Sequence, residues 1–139
     1  MNGMAERDAG TGEGASIPGG ALAPAIAREI LTELVGERTP AATLHDLHLL
    51  TTEIVTNAVC HADVDETATL QLRVFVDGDA LRVSVTDPGG VTIPHIEALD
   101  VTAPGGMGLF IVDRVSDRWG FERTDDGATE VWFELSQAG

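Results

Sequence analysis

The stretch Leu50-Thr51-Thr52-Glu53-Ile54-Val55-Thr56-Asn57-Ala58-Val59-Cys60-His61 carries its apolar residues at helical spacing. At about 100° of turn per residue, Leu50, Ile54, Val55 and Ala58 share a broad face that Leu44 and Leu47 extend upstream. Glu53, Asn57 and His61 stand four apart, so they line one side of this helix, at the edge of the apolar arc. Asparagine is a poor helix former because its side chain competes for backbone hydrogen bonds, and a half-buried one must find a partner. A carboxylate and a carboxamide one turn apart can hold a hard cation such as magnesium through oxygen, or position the proton of a nucleophile. The plainer reading is a boundary stripe with ordinary hydrogen bonds.

Working outward, Thr43 followed by Asp46 resembles a capping box that opens this helix, and Asp63-Val64-Asp65-Glu66 breaks it after about Ala62. Upstream, Leu22, Ile26, Ile30 and Leu34 recur every four residues, which predicts a helix from about Ala21 to Val35 ended by Gly36. The first twenty residues are rich in Gly, Ala, Ser and Thr and read as a flexible tail, leaving residues 21–139 as one domain. Downstream the period changes to two. Leu70, Leu72, Val74 and Val76 predict a strand, Asp77-Gly78-Asp79 a turn, and Leu81, Val83 and Val85 its hairpin partner. From Pro88 to Gly106 runs a long loop with three prolines and four glycines, of a length that is often functional. Helical spacing returns from Gly108 to about Asp117, and a second hairpin follows, Trp119 to Arg123 and Thr129 to Leu135. This order predicts an α+β, two-layer fold, with helices on one face of a mainly antiparallel sheet.

The chain has 139 residues and a formal net charge of −15, all eight cations being arginine. Such a field repels phosphate backbones, which argues against a nucleic-acid-binding module. The absence of lysine excludes a Walker-type phosphate loop, a protein-kinase strand lysine and a Schiff base. A single cysteine, Cys60, excludes an internal disulfide and a multi-cysteine zinc site. No cationic flank precedes an apolar run near the start, and no apolar stretch approaches the roughly 18–20 residues that span a bilayer. A cytoplasmic location without membrane attachment is therefore expected.

Two further constellations bear on function. Asp87-Pro88-Gly89-Gly90 closes a predicted strand; it is either a structural turn or a carboxylate that accepts from an exocyclic amine beside a glycine that admits a flat ring. Gly105-Gly106-Met107-Gly108 stands before a helix, either as a plain connection or as a phosphate site built from free amides and the helix dipole.

Taken in order, E-x-x-x-N-A-x-x-H on a helix, D-x-G after a strand and G-x-G opening a helix resemble the GHKL ATP-binding superfamily of histidine-kinase catalytic domains and type II topoisomerases. Within it, the chain most resembles the single-domain bacterial anti-sigma-factor serine/threonine kinases, over about Ala21 to Leu135. The resemblance implies a Bergerat-type ATPase fold that binds ATP and Mg2+. It implies that Asn57 coordinates magnesium at the ATP phosphates and that Glu53 is the general base for a partner's hydroxyl. Asp87 would bind the adenine amine, Gly89 would leave room for the ring, and Thr129 would support the adenine pocket. Gly106 and Gly108 would face the phosphates, with Leu109 beside them in the nucleotide site, and Pro88 to Gly106 would form the lid. Implied partners are an anti-anti-sigma antagonist, as the phosphorylated protein, and a sigma factor that is sequestered; a homodimer is implied as well. One position departs from the family's D-x-G-x-G: Val91 stands at the final glycine. A non-catalytic ATP-binding module that regulates by stoichiometric contact is the alternative. A histidine-kinase catalytic domain fits less well, because no helix with a phosphoacceptor histidine is recognisable upstream.

His45 and His48, three apart, read as solvent-exposed or capping residues rather than metal ligands. Cys60 reads as a small buried thiol, since His61 points about 100° away from it.

Overall fold

The computed structural model describes residues 11–61, 68–87, 106–123 and 127–136. Its elements are β1 (Thr11–Pro18), α1 (Ala23–Val35), a 3-10 turn (Gly36–Arg38), α2 (Ala41–His61), β2 (Thr69–Asp77), β3 (Ala80–Asp87), α3 (Gly106–Val115), β4 (Arg118–Arg123) and β5 (Thr129–Ser136). The strands form one antiparallel sheet in the order β1-β2-β3-β5-β4. The α+β architecture expected from the sequence is the one observed.

Alternation decides which face of the sheet is covered. Leu70, Leu72 and Val74 of β2, Leu81, Val83 and Val85 of β3, and Val131, Phe133 and Leu135 of β5 are buried. They pack with Leu47, Leu50, Ile54, Val55 and Ala58 of α2 in one core. The two hairpin expectations hold, and Gly78 takes the φ of +61° that a tight turn between Asp77 and Ala80 requires. On the opposite face the registered row Arg73–Ser84–Trp132–Gly120 crosses the sheet. The Trp132 indole lies so close over Gly120 that a Cβ there would come within 2.8 Å of the ring. Arg82 stacks on the same indole at 3.9 Å, and Glu134 joins Arg82 and Arg118 at 3.1 and 2.8 Å.

Several boundaries differ from the sequence reading. The expected tail of residues 1–20 is corrected over Thr11–Pro18, which forms an edge strand paired with β2 along its whole length. Residues 1–10 lie outside the described residues. The strand lacks the β-branched alternation that announces a strand. Its glycines nevertheless suit its place, because a Cβ on Gly12 would meet the Phe75 ring at 2.5 Å and one on Gly14 would meet the Leu72 carbonyl oxygen at 2.5 Å. Ile17 is fully buried and anchors the strand.

In α1 the fully buried stripe is Ala23, Ala27, Leu31 and Val35, one residue on from the one expected. Small Ala23 and Ala27 bring the helix close to the layer beneath, which leaves Ile26, Ile30 and Leu34 on its shoulder and Leu22 71% exposed. Helix α2 begins at Ala41 with Leu44 N–H donating to the Pro40 carbonyl at 2.8 Å, so the Thr43–Asp46 pair lies inside the helix and does not cap it. Helix α3 opens at Gly106, two residues before the expected start.

Candidate functional site

The middle of the sheet and α2 build the site. Asp87 ends β3 and Thr129 begins β5, and the two are registered partners. Continuing the alternation Leu81, Val83, Val85 puts the Asp87 side chain on the helix-covered face, and Thr129 joins it by the same rule from Val131. Both are buried, at 7% and 2% exposure. The Asp87 Oδ1 accepts the Thr129 backbone N–H at 3.4 Å, which ties the two strand ends together. Helix α2 packs on both β3 and β5.

On α2, Asn57 is 2% exposed and, among the described residues, its Oδ1 has no hydrogen-bond partner. The Thr129 Oγ1 is likewise buried and unpartnered. A buried acceptor left unmade costs about 1–3 kcal/mol, so a plain boundary stripe with ordinary hydrogen bonds does not describe Asn57. Glu53, one turn earlier, is half-buried, and desolvation raises its carboxyl above the ordinary glutamate value. A carboxylate in that setting is a stronger base than one in free solution. A neutral carboxamide oxygen and a carboxylate form a hard-oxygen donor set of the kind magnesium takes, completed by water and phosphate oxygens.

Helix α3 supplies the third part. Gly106 and Gly108 lie in its first turn, where the N–H groups have no partner inside the helix and the dipole favours an anion. The helix packs against α2. Leu109 lies in the same turn. Gly89 and Val91, with most of the proposed lid, lie outside the described residues. His61 is the last residue of α2.

The family of histidine kinase-like ATPase domains matches residues 21–135. The chain belongs to that family. Membership makes this histidine kinase-like ATPase domain an ATP-binding module. An uncharacterized protein of Streptomyces coelicolor (strain ATCC BAA-471 / A3(2) / M145) is 36% identical over 76 residues, spanning 54% of this chain and 71% of that protein. The edge strand β1 precedes the matched segment. Among the described residues no helix is long and apolar enough to cross a membrane.

One arrangement in this domain was not legible in its sequence. Arg28 Nη1 donates to Thr52 Oγ1 at 2.8 Å, and the Thr52 hydroxyl donates to the His48 carbonyl at 2.7 Å. The mirror image runs the other way: the Thr32 hydroxyl oxygen lies 3.0 Å from the Arg28 carbonyl oxygen and 2.9 Å from His48 Nε2. The Thr32 hydroxyl has a single hydrogen, so it donates either to the Arg28 carbonyl or to His48 Nε2, as the imidazole tautomer decides. Each helix thus offers a threonine one turn after the residue that reaches across, and the two bonds clasp α1 to α2 immediately beside Glu53. Burial, then the nearby charges of Arg28 and His45, lower the pKa of His48. His45 is exposed as expected, while His48 is half-buried in the clasp. Cys60 is exposed, contrary to the buried thiol read from sequence, although Ala58 two residues earlier is buried.

Proposed function

We propose that this domain is an ATP- and Mg2+-dependent serine/threonine protein kinase of the anti-sigma-factor type, which phosphorylates an anti-anti-sigma antagonist and sequesters a sigma factor. The observation that carries the reading is the pair on α2: a buried Asn57 Oδ1 without a partner among the described residues, one turn after a carboxylate made more basic by burial. A binder that only holds nucleotide has no need of a base at that position. Asn57 would hold the magnesium, whose charge offsets that of the phosphates in a chain without lysine. Asp87, anchored by the Thr129 N–H, would orient the adenine amine, and the first turn of α3 would receive phosphate oxygens. Glu53 takes the proton as the partner's hydroxyl oxygen bonds to the terminal phosphorus of the substrate ATP and the bond to the ADP oxygen breaks. The acidic surface suits basic patches on the partners.

Phosphotransfer to a candidate antagonist, followed with radiolabelled ATP, tests this. Wild type is expected to label the antagonist and Glu53→Gln to bind ATP without labelling it. Labelling that survives Glu53→Gln would refute the assignment of the base. Val91, at a position where the family carries glycine, favours a second reading: an ATP-binding module that regulates by stoichiometric contact. It predicts tight complexes with a partner and no phosphate on any.

A further inference from the structure

Helix α1 ends in a way that its own electrostatics oppose. The carbonyl end of a helix is the negative pole of its dipole and favours cations, yet the last turn of α1 has no basic residue and contains Glu33. Glu29 and Glu33 stand four apart on the helix, and Glu37 follows at the same interval in the 3-10 turn. Like charges at that spacing repel. All three glutamates are exposed, and among the described residues none of them forms an ion pair. The flanking cations are engaged elsewhere: Arg38 is joined to Glu13 at 3.4 Å, and Arg28 donates to Thr52 at 2.8 Å. These carboxylates therefore work against the helix that carries them, and natural proteins break such local rules at functional sites.

A second observation lies beside them. Between the end of α1 and the first turn of α2 is a cleft of about 520 Å3 lined by Thr32, Glu33, Gly36, Glu37 and Leu44, within the roughly 300–1,000 Å3 of ordinary binding pockets. Most of its lining surface is apolar, and half-buried Leu44 is the one large aliphatic side chain in it. Gly36 adds no side chain, and a Cβ there would stand 3.2 Å from the Thr32 methyl. The Thr32 oxygen, 3.0 Å from the Arg28 carbonyl oxygen and 2.9 Å from His48 Nε2, holds that wall in place before any ligand arrives.

We infer that this cleft docks a basic, amphipathic segment of a partner protein, which sets an aliphatic side chain on Leu44 and an arginine or lysine between Glu33 and Glu37. The cation answers both carboxylates and the negative pole of α1 together. Its methylene stem and the aliphatic neighbour cover the apolar lining. A bare metal ion makes no use of Leu44, and a second copy of the chain brings another −15 of charge to an acidic rim. Leu44 precedes Asn57 by about 20 Å along α2 at 1.5 Å per residue, so a partner seated here leaves the nucleotide site open. The inference stands apart from the nucleotide reading, since none of the cleft residues belongs to that site.

Amide NMR titration of the full chain with a blocked hexapeptide of alternating leucine and arginine tests it. The peptide is expected to shift the amides of Glu33, Gly36, Glu37 and Leu44 saturably. Glu33→Gln combined with Glu37→Gln should weaken binding at least tenfold, and a peptide with serine in place of leucine should bind at least fivefold more weakly. Asp79→Asn combined with Glu122→Gln removes the same charge elsewhere and should change binding less than twofold. Without peptide, the Glu33 and Glu37 double variant should melt no lower than wild type, which separates a docking role from a structural one. Shifts scattered over the acidic surface, equal loss in the control pair, or equal binding of the serine peptide would each overturn the proposal. So would Mg2+ alone, or a second copy of the chain on raising concentration, shifting the same four amides, or a double variant that melts lower.

Discussion

Replacing Asn57 by leucine should move stability and nucleotide binding in opposite directions. The side chain is 2% exposed and its Oδ1 is unpartnered, which costs the protein without nucleotide about 1–3 kcal/mol. Leucine is close in size, removes that orphan and gains a few tenths of a kcal/mol in helix propensity. The nucleotide-free variant is therefore expected to be more stable than wild type by about 1–3 kcal/mol, or about 4–10 °C in melting temperature for a chain of this size. Wild type with Mg·ATP at 100 times its dissociation constant should gain about 2.7 kcal/mol, and the variant should gain nothing. Thermal and urea melts with and without Mg·ATP measure both quantities. A variant destabilised by more than about 1 kcal/mol would show that Asn57 serves the fold, and a retained ATP-dependent shift would show that it does not serve the nucleotide. Either result refutes the reasoning.

Three other perturbations follow from the same geometry. Glu53 has a raised pKa from desolvation, so its ionisation costs stability as pH rises from the unfolded value of 4.5; Glu53→Gln should be at least as stable as wild type at pH 7 in urea titrations while losing phosphotransfer. His48 has a lowered pKa, so its contribution is present above the unfolded value of 6.5 and is lost as pH falls below it. The melting temperature should drop on acidification from there, and His48→Gln should remove that component. Asp87→Asn keeps an acceptor for the Thr129 N–H, so the fold should change by about 1 kcal/mol or less. It offers an amide in place of a carboxylate oxygen, and calorimetry should find ATP affinity reduced about tenfold or more, the equivalent of about 1.4 kcal/mol.

Both hairpins and α2 were legible because their apolar residues repeat at one period over whole elements, and the same periodicity placed Glu53 and Asn57 on one side of α2. Asp87 and Thr129 could each be nominated from sequence, one by a strand-ending D-x-G and the other by resemblance. Their pairing across 42 residues depends on the β3–β5 register, which no local pattern specifies. The α1 stripe was displaced by one residue because alanines look featureless beside Leu22, Ile26 and Ile30, although close packing rewards a small side chain. Cys60 and the Arg28–His48 clasp were misread or missed because exposure and hydrogen bonding at a helix edge depend on the neighbouring helix.

The sequence by itself determined the types and order of the elements from α1 onward, the exclusion of lysine-based chemistry and the polar side of α2, all consequences of residue type and short-range spacing. Only the tertiary structure decided that Thr11–Pro18 is a strand, since its glycines and serine have little strand preference of their own. They become a strand because β2 offers an edge whose Phe75 ring and Leu72 carbonyl leave room for nothing larger than glycine. Tertiary structure also decided that Asn57 is buried without a partner among the described residues, because burial and hydrogen-bond satisfaction are set by the elements packed around a residue and not by its neighbours along the chain.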